Sequence, residues 1–102
     1  AIWRDPRRPE RSLIVATDKK AGLHVYGLDG KPRDFVAAGR LNNVDLVDMG
    51  RAGVIVVASD RNDEAAAKLR VYRLDTSAAK LVELGAVPGG AWSDQSAAVA
   101  AN

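Results

Sequence analysis

An internal repeat constrains the fold of this 102-residue chain more than any other feature. Residues 13–30 read LIVATDKKAGLHVYGLDG, residues 54–76 read VIVVASDRNDEAAAKLRVYRLDT, and the two stretches align on either side of a turn. The second copy carries about four extra residues in that turn, so the copies are offset by about 42 residues before it and about 46 after it. A period of about 40–50 residues is typical of β-propeller blades and of some helical arrays.

The residue pattern within each copy favours strands. SLIVAT and VIVVAS are short apolar runs rich in β-branched residues, and LHVYGL alternates, with Leu23 and Val25 on one face. DEAAAKLRVYRL contains good helix formers and, taken alone, is a helix about as often as a strand. Its alignment with the glycine-containing AGLHVYGLDG predicts a long turn over residues 63–67 and strands over residues 69–74 and 80–87.

These patterns predict an all-β fold with two blade-like units, at about residues 11–50 and 51–88, and a divergent tail over residues 89–102. Trp3 and Phe35 are expected to pack in the core between the strands. Propeller blades stack face to face, and each needs a neighbour on both sides. Two blades alone would expose two apolar faces, so we expect the remaining propeller blades of a longer protein to be partners of this segment.

Composition removes several classes of function. The chain has no cysteine, which excludes disulfides, thiol nucleophiles and cysteine zinc sites, and His24 is its single histidine, which excludes a paired-histidine mechanism. The net charge of +2 is small, and no basic stripe is interleaved with aromatic residues, so no nucleic-acid partner is expected. No apolar run approaches the roughly 20 residues that cross a bilayer, so no membrane partner is expected either.

Two cations occupy equivalent places in the repeat. Lys19 follows Thr-Asp in the first copy, and Arg61 follows Ser-Asp in the second. Equivalent turns of successive propeller blades lie on one face, so these side chains would converge, and convergent lysine and arginine suit a multiply charged phosphate. Lys20 adds a third charge, although its counterpart is the neutral Asn62. The alternative, equally open at this point, is that the repeat preserves only a solvated charged turn.

Five stretches of the chain read Ala-Ile-Trp, Thr-Asp-Lys-Lys-x-Gly-Leu, Gly-Arg-x-Asn-Asn-Val-Asp, Ala-Ser-Asp-Arg and Val-Tyr-x-Leu-Asp. Together they resemble one known family, the calcium-dependent β-propeller phytases, and the resemblance covers residues 1 to about 88. It implies a six-bladed β-propeller, of which this chain would supply about two four-stranded blades. It also implies hydrolysis of phosphate monoesters of phytate, inositol hexakisphosphate, presented as a calcium complex, by a secreted or periplasmic enzyme.

The resemblance also carries residue roles. Lys19, Lys20 and Arg61 match positions that contact substrate phosphate. Val44 lies in the segment whose backbone carbonyl approaches a bound Ca²⁺, and Asn43 sits beside it, although Asn42 and Asn43 together are as readily a turn that begins the second blade. The resemblance assigns no catalytic residue to this chain.

The chain also departs from the family pattern. The family's acidic pair, which precedes Ala-Ile-Trp and binds calcium, has no counterpart in residues 1–102, and GGAWSDQSAAVAAN stands where the family has an active-site tyrosine. We therefore expect the 102-residue chain to be inactive alone. A noncatalytic propeller-type interaction module, or a phytase remnant that lost its metal site, is the alternative function.

Overall fold

The computed structural model describes residues 1–18, 20–62 and 68–88. In these ranges the chain forms two antiparallel sheets, each with four strands in chain order. The first sheet contains β1 (Ile2–Trp3), β2 (Leu13–Asp18), β3 (Gly22–Gly27) and β4 (Pro32–Ala37). The second contains β5 (Leu41–Asp48), β6 (Val54–Asp60), β7 (Lys68–Asp75) and β8 (Lys80–Pro88). The helical segments of the described residues are two short 3₁₀ turns, Pro9–Arg11 and Gly50–Ala52, and no described helix could span a bilayer.

The predicted all-β class is confirmed, and two four-stranded meanders are compatible with propeller blades. The strand predicted over residues 69–74 is β7. The prediction made from the repeat is therefore confirmed, and the helix propensity of this segment does not decide its structure. The strand predicted over residues 80–87 is β8. The predicted turn over residues 63–67, the tail over residues 89–102 and Lys19 lie outside the described residues.

The boundary between the two sheets falls at the linker 38–40, which joins β4 to β5. The predicted repeat units of 11–50 and 51–88 are offset from the sheets, because a repeat defines a period and leaves its starting point open. Residues 41–48 pair with β6 and so open the second sheet, and the short β1 pairs with β2 at the edge of the first.

One apolar core lies between the two sheets. Val15, Leu23 and Val25 of the first sheet and Val56 and Tyr72 of the second belong to one cluster and are fully buried. The alternation of faces along each strand places these residues on the facing surfaces. Each large side chain removed from water contributes about 1.5–3 kcal/mol, so this shared core is what holds one sheet against the other.

The sheets stack head to tail, which means that equivalent faces of the two repeat copies point in the same direction. Val15 in the core corresponds in the repeat to Val57, which follows Val56 of the core and so lies on the opposite face of the second sheet. Tyr72 in the core corresponds to Tyr26, which neighbours Val25 of the core and lies on the outer face of the first sheet. Each sheet therefore turns a different face inward and leaves the complementary face outward.

The prediction for Trp3 is confirmed, and the one for Phe35 is wrong. Trp3 is only 9% exposed, and its Nε1 donates to Asp48 Oδ2 at 3.2 Å, which links the two sheets. Phe35 is 46% exposed, because the register of β3 and β4 pairs it with His24 on the outer face. Its ring lies 4.6 Å from the His24 ring, between ring centroids.

Candidate functional site

The two Thr/Ser-Asp steps of the repeat form the same kind of turn. Asp18 Oδ1 accepts the backbone N–H of Lys20 at 3.0 Å and that of Ala21 at 3.3 Å. Asp60 Oδ1 accepts the backbone N–H of Asn62 at 2.8 Å. In both, a carboxylate binds the N–H two residues further on, which is the Asx turn that aspartate favours. The repeat has thus preserved local turn chemistry, which the interpretation of these segments as solvated charged turns requires.

Each of these carboxylates also contacts the next strand at equivalent positions. His24 Nε2 lies 3.5 Å from Asp18 Oδ2, and Arg70 Nε, whose residue aligns with His24, donates to Asp60 Oδ2 at 2.7 Å. The second pair is the more buried, with Asp60 only 4% exposed. The other arm of Arg70 donates through Nη1 to Glu83 Oε1 at 2.7 Å, so Arg70 is held by two carboxylates.

The pKa values of both aspartates fall below the ordinary value. Burial by itself raises the pKa of Asp60, but the Arg70 guanidinium and the N–H groups of Asn62 together lower it further than burial raises it. The backbone N–H of Lys20, with a smaller contribution from His24, lowers the pKa of Asp18. Both carboxylates are therefore ionised near neutral pH, and both are engaged by groups of the chain itself.

The linker 38–40 joins the two turns. Two consecutive backbone N–H groups of the linker donate to the carbonyl oxygen of Ala21 at 3.1 and 3.0 Å. At the other end of the linker, the backbone N–H of Arg61 donates to the carbonyl oxygen of Arg40 at 2.8 Å. Lys20, next to Ala21, and Arg61 consequently lie at the same edge of the two sheets.

The side chain of Asn62 adds a second connection between this edge and the linker. Its Nδ2 donates to the carbonyl of Ala38 at 2.8 Å and to Asp60 Oδ1 at 2.7 Å. Its Oδ1 accepts the backbone N–H of Arg40 at 2.8 Å. One amide side chain therefore contacts both ends of the linker and the buried carboxylate of β6.

We define the cation edge as Lys20, Arg40 and Arg61, three exposed basic residues that take part in these backbone contacts or, for Lys20, directly precede a residue that does. Within residues 1–18, 20–62 and 68–88, none of the three forms an ion pair with a carboxylate. The structure thus brings the predicted Lys20 and Arg61 to one surface, while the predicted Lys19 lies outside the described residues. Arrayed cations of this kind can bind an anion with several charges.

Asn43 and Val44, predicted to lie near calcium, occupy a β-bulge in β5. Asn42 pairs with Ser59 and Val44 with Ala58, so Asn43 has no partner on β6 and adopts a φ of 43°. Asparagine tolerates this left-handed conformation better than most residues. The alternative interpretation of a turn is therefore wrong, since β5 continues through the bulge to Asp48. Bulges interrupt ladder pairing and are frequent beside active sites.

The described residues include oxygen ligands of the type that calcium binds, but too few of them for a complete site. Calcium takes about six to eight oxygen ligands, and the bulge offers the backbone carbonyls of Asn43 and Val44 and the Asn43 amide oxygen. Among the described residues, no group of three or more histidine, aspartate or glutamate side chains is placed to hold a metal ion. Asp18 and Asp60 serve the turns, and Asp48 accepts from Trp3. The described ranges alone therefore do not form a complete calcium site.

Sequence reasoning missed Arg40, a member of the cation edge, and the side chain of Asn62 that connects to it. The counterpart of Arg40 in the first copy would precede residue 1, so the repeat gives no signal for it. Asn62 aligns with Lys20 and reads as an interruption of the charge pattern, whereas the structure gives it a connecting role. Gly39 was the sequence feature that could have pointed to Arg40, because a glycine directly before it indicates a turn between the two sheets.

Comparison with known proteins agrees with the motifs of this edge. Residues 1–93 match the family described as Phytase. A 3-phytase of Bacillus subtilis (strain 168) is 37% identical over 84 residues, which are 79% of this chain and 22% of that relative. The chain therefore spans less than a quarter of the length of this curated relative. The match over nearly the whole described chain shows that the chain belongs to the phytase family.

Proposed function

We propose that this chain is a segment of a phosphomonoester hydrolase that acts on phytate, and that it contributes phosphate-binding cations to the substrate site. The observation that carries the proposal is the cation edge, where hydrogen bonds of the linker 38–40 bring Lys20 and Arg61 to one surface. The relative's name, 3-phytase, supplies the substrate class. Phytate carries six phosphate groups on one ring, so a surface with several fixed cations suits it.

The cations of this site have different roles. Arg61 presents a planar fork of N–H donors that can bind two phosphate oxygens at once, whereas Lys20 is a point charge on a flexible stem. Lys19 has the same proposed role in phosphate binding, because it occupies in the first copy of the repeat the position that Arg61 occupies in the second. A charge-assisted hydrogen bond to phosphate is worth about 1.5–3 kcal/mol, so each contact is worth roughly ten- to a hundredfold in binding.

We further propose calcium as the cofactor, with Asn43 and Val44 supplying oxygen ligands from the bulge. A bound metal ion of this kind lowers the pKa of an attacking water and offsets charge on a transferring phosphoryl group. Because the described residues fall short of a full ligand set, acidic ligands from outside the described residues would have to complete it. In this proposal the chain binds and orients phosphate groups beside the metal.

The remaining propeller blades are the proposed structural partners. The head-to-tail stacking supports this, because each sheet's outward face corresponds in the repeat to a face that is buried in the core. A further blade could pack on the outer face of the second sheet as the second sheet packs on Val15, and another could cover the partly exposed Tyr26. Six such blades, closed into a ring, would complete the propeller. Secretion or a periplasmic location is proposed on the family resemblance.

A noncatalytic interaction module is the second candidate. The observation that favours it is the lack of an acidic cluster among the described residues. Such a module would bind an anionic partner through the same cation edge without releasing phosphate. The two candidates differ in one measurable property, which is calcium-dependent turnover.

The test uses a full-length protein that contains residues 1–102. Phosphate release from phytate is measured with calcium and with a chelator, for the wild type and for Lys19→Ala, Lys20→Ala and Arg61→Ala. We expect calcium-dependent release, a loss of about ten- to a hundredfold in kcat/KM for Lys19→Ala and Arg61→Ala, and a smaller loss for Lys20→Ala.

Arg51→Ala is the matched control, because Arg51 is exposed in the 3₁₀ turn at the opposite end of the second sheet. Arg61→Lys should recover only part of the loss, since it keeps the charge and loses the fork. Phytate binding without phosphate release would favour the interaction module. Wild-type kinetics in both Lys19→Ala and Arg61→Ala would show that the turns are solvated surface and would refute the assignment.

A further inference from the structure

A row of three charged side chains crosses the second sheet and ends next to Arg61. Glu83 Oε1 on β8 accepts a hydrogen bond from Arg70 Nη1 on β7 at 2.7 Å, and Arg70 Nε donates to Asp60 Oδ2 on β6 at 2.7 Å. Both contacts join a guanidinium to a carboxylate, and charge-assisted hydrogen bonds of this kind are about twice as strong as neutral ones. The row therefore links three neighbouring strands to Asp60, the residue that directly precedes Arg61.

The carboxylate of Asp60 extends this row into the turn that carries Arg61. Its Oδ1 accepts the backbone N–H of Asn62 at 2.8 Å and the Nδ2 of the same residue at 2.7 Å. The backbone N–H of Arg61 itself donates to the Arg40 carbonyl at 2.8 Å. The backbone is thus held by hydrogen bonds at Arg61 and at the residue after it, and the exposed Arg61 side chain starts from a fixed position.

Arg70 is placed to hold this turn rather than to bind an anion. Arg70 and Tyr72 are two residues apart on β7 and share a face, and Tyr72 belongs to the core between the sheets. Two carboxylates already bind the guanidinium of Arg70, whereas no carboxylate of the described ranges pairs with Arg61. Burial alone raises the pKa of Asp60, and the hydrogen bond from Arg70 is the largest of the contributions that lower it. Removal of Arg70 would therefore leave a buried carboxylate at the base of the turn without its counter-charge.

We infer that Arg70 is a positioning residue for phosphate binding: through Asp60 it holds the turn that presents Arg61 to the substrate. This inference rests on the proposed function. A side chain whose backbone is fixed in advance loses less conformational freedom when it binds, so the affinity gained from Arg61 depends on Arg70. Glu83 orients the guanidinium of Arg70 from the other side.

The first copy of the repeat holds its turn with a different partner. His24 aligns with Arg70, and its Nε2 lies 3.5 Å from Asp18 Oδ2. An imidazole is charged only when it is protonated, whereas a guanidinium stays charged across the physiological pH range. Each turn has its own partner on the next strand, so the loss of Arg70 should act on the Arg61 turn and leave the Asp18 turn unchanged.

Amide hydrogen exchange tests the positioning step in a full-length protein that contains residues 1–102. In Arg70→Met, the backbone N–H of Asn62 should exchange about tenfold faster than in the wild type, because the carboxylate that binds it is no longer held. The backbone N–H of Lys20, which occupies the equivalent place in the Asp18 turn, should keep its wild-type rate. Arg73→Met is the matched control, since Arg73 is exposed and lies three residues further along β7, on the opposite face.

Titration with phytate tests the consequence for binding. Isothermal titration in the presence of a chelator, which prevents calcium-dependent turnover, is carried out for the wild type, Arg70→Met, Arg70→Lys and Arg73→Met. Arg70→Met should weaken phytate binding about three- to tenfold, which is less than the loss in Arg61→Ala, because the Arg61 charge is kept and only its placement is lost. Arg70→Lys should recover part of this loss, since it keeps the charge beside Asp60 and loses the fork, and Arg73→Met should match the wild type.

A double-mutant cycle separates positioning from a general structural role. In an Arg61→Ala background, Arg70→Met should change phytate affinity by less than about twofold, because no guanidinium is left to position. Equal losses in both backgrounds, or an unchanged exchange rate at Asn62 in Arg70→Met, would overturn the inference. Arg70→Gln replaces Arg70→Met throughout if that variant fails to fold, since its amide can still donate one hydrogen bond to Asp60.

The outcomes distinguish this inference from the proposed function. If Arg61→Ala weakens phytate binding while Arg70→Met leaves it unchanged, the role of Arg70 alone is refuted. A wild-type protein that binds no phytate would refute the phosphate-binding function and, with it, a role of Arg70 in that binding. Binding without calcium-dependent phosphate release would refute the enzymatic function only, and the cycle would still decide the role of Arg70.

Discussion

Replacement of Gly39 by alanine tests the connection between the two sheets where the linker 38–40 lies against Asn62. Gly39 adopts a φ of +72°, and a Cβ atom at this position would collide with the Oδ1 atom of Asn62. Asn62 would then have to move, and it would lose the bond from Arg40 N and the bond to the Ala38 carbonyl. Gly30 offers a matched control, because its φ is +79° and a Cβ there meets nothing within 4 Å.

The expected magnitudes follow from these two geometries. An alanine forced into the left-handed region costs about 1–2 kcal/mol, and both Gly30→Ala and Gly39→Ala carry this cost. The loss of two hydrogen bonds, at about 0.5–1.5 kcal/mol each, adds about 1–3 kcal/mol to Gly39→Ala alone. We therefore expect Gly39→Ala to lower the free energy of unfolding by about 2–5 kcal/mol, and Gly30→Ala by about 1–2 kcal/mol.

Urea-induced unfolding of a full-length protein that contains this segment measures both values. A double-mutant cycle isolates the collision: in an Asn62→Ala background, Gly39→Ala should cost only the strain of about 1–2 kcal/mol. The reasoning would be refuted by equal costs for Gly39→Ala and Gly30→Ala, or by strictly additive effects of Gly39→Ala and Asn62→Ala.

Two further predictions concern acid stability and the isolated chain. The pKa of Asp60 is lowered from 3.8, so its ionised form stabilises the fold above about pH 4, and this contribution is lost as pH falls through the folded-state value. Asp60→Asn should cost about 3 kcal/mol at neutral pH, by leaving Arg70 without its buried partner, and the difference from wild type should shrink in acid unfolding curves. The 102-residue chain alone should self-associate or fold poorly and should not release phosphate from phytate; a monomer in size-exclusion chromatography with a cooperative thermal transition, or calcium-dependent phosphate release, would contradict this.

The strands and turns were predictable because the repeat supplied a second copy of each. DEAAAKLRVYRL has helix propensity that a single sequence cannot resolve, and its aligned partner with two glycines identified β7 correctly. The equivalence of Asp18 and Asp60 likewise predicted equivalent turns, since aspartate binds backbone N–H groups within its own turn. These features depend on local residues, which the sequence shows directly.

The misplaced residues depend on register and on contacts across the chain. Phe35 follows a shift in the β3–β4 ladder between Val25 and Tyr26, and such a shift decides which face a side chain occupies. Asn62 and Arg40 meet 22 residues apart through one side chain and one backbone N–H. No spacing rule reports such a bond, because it exists only once the two sheets have stacked.

The head-to-tail stacking explains why cations from separate turns share an edge. Translating one sheet onto the next along the repeat carries the Asp18 turn onto the Asp60 turn, so residues that follow the two aspartates must lie on the same side of the stack. The linker 38–40 then runs between the turns, because it must connect the last strand of one sheet to the first strand of the next. Its hydrogen bonds to Ala21 and Arg61 are a consequence of that path, and Arg40 enters the edge with it. A multiply charged anion can therefore be met by basic residues from two turns and a linker without any change in the strands that carry them.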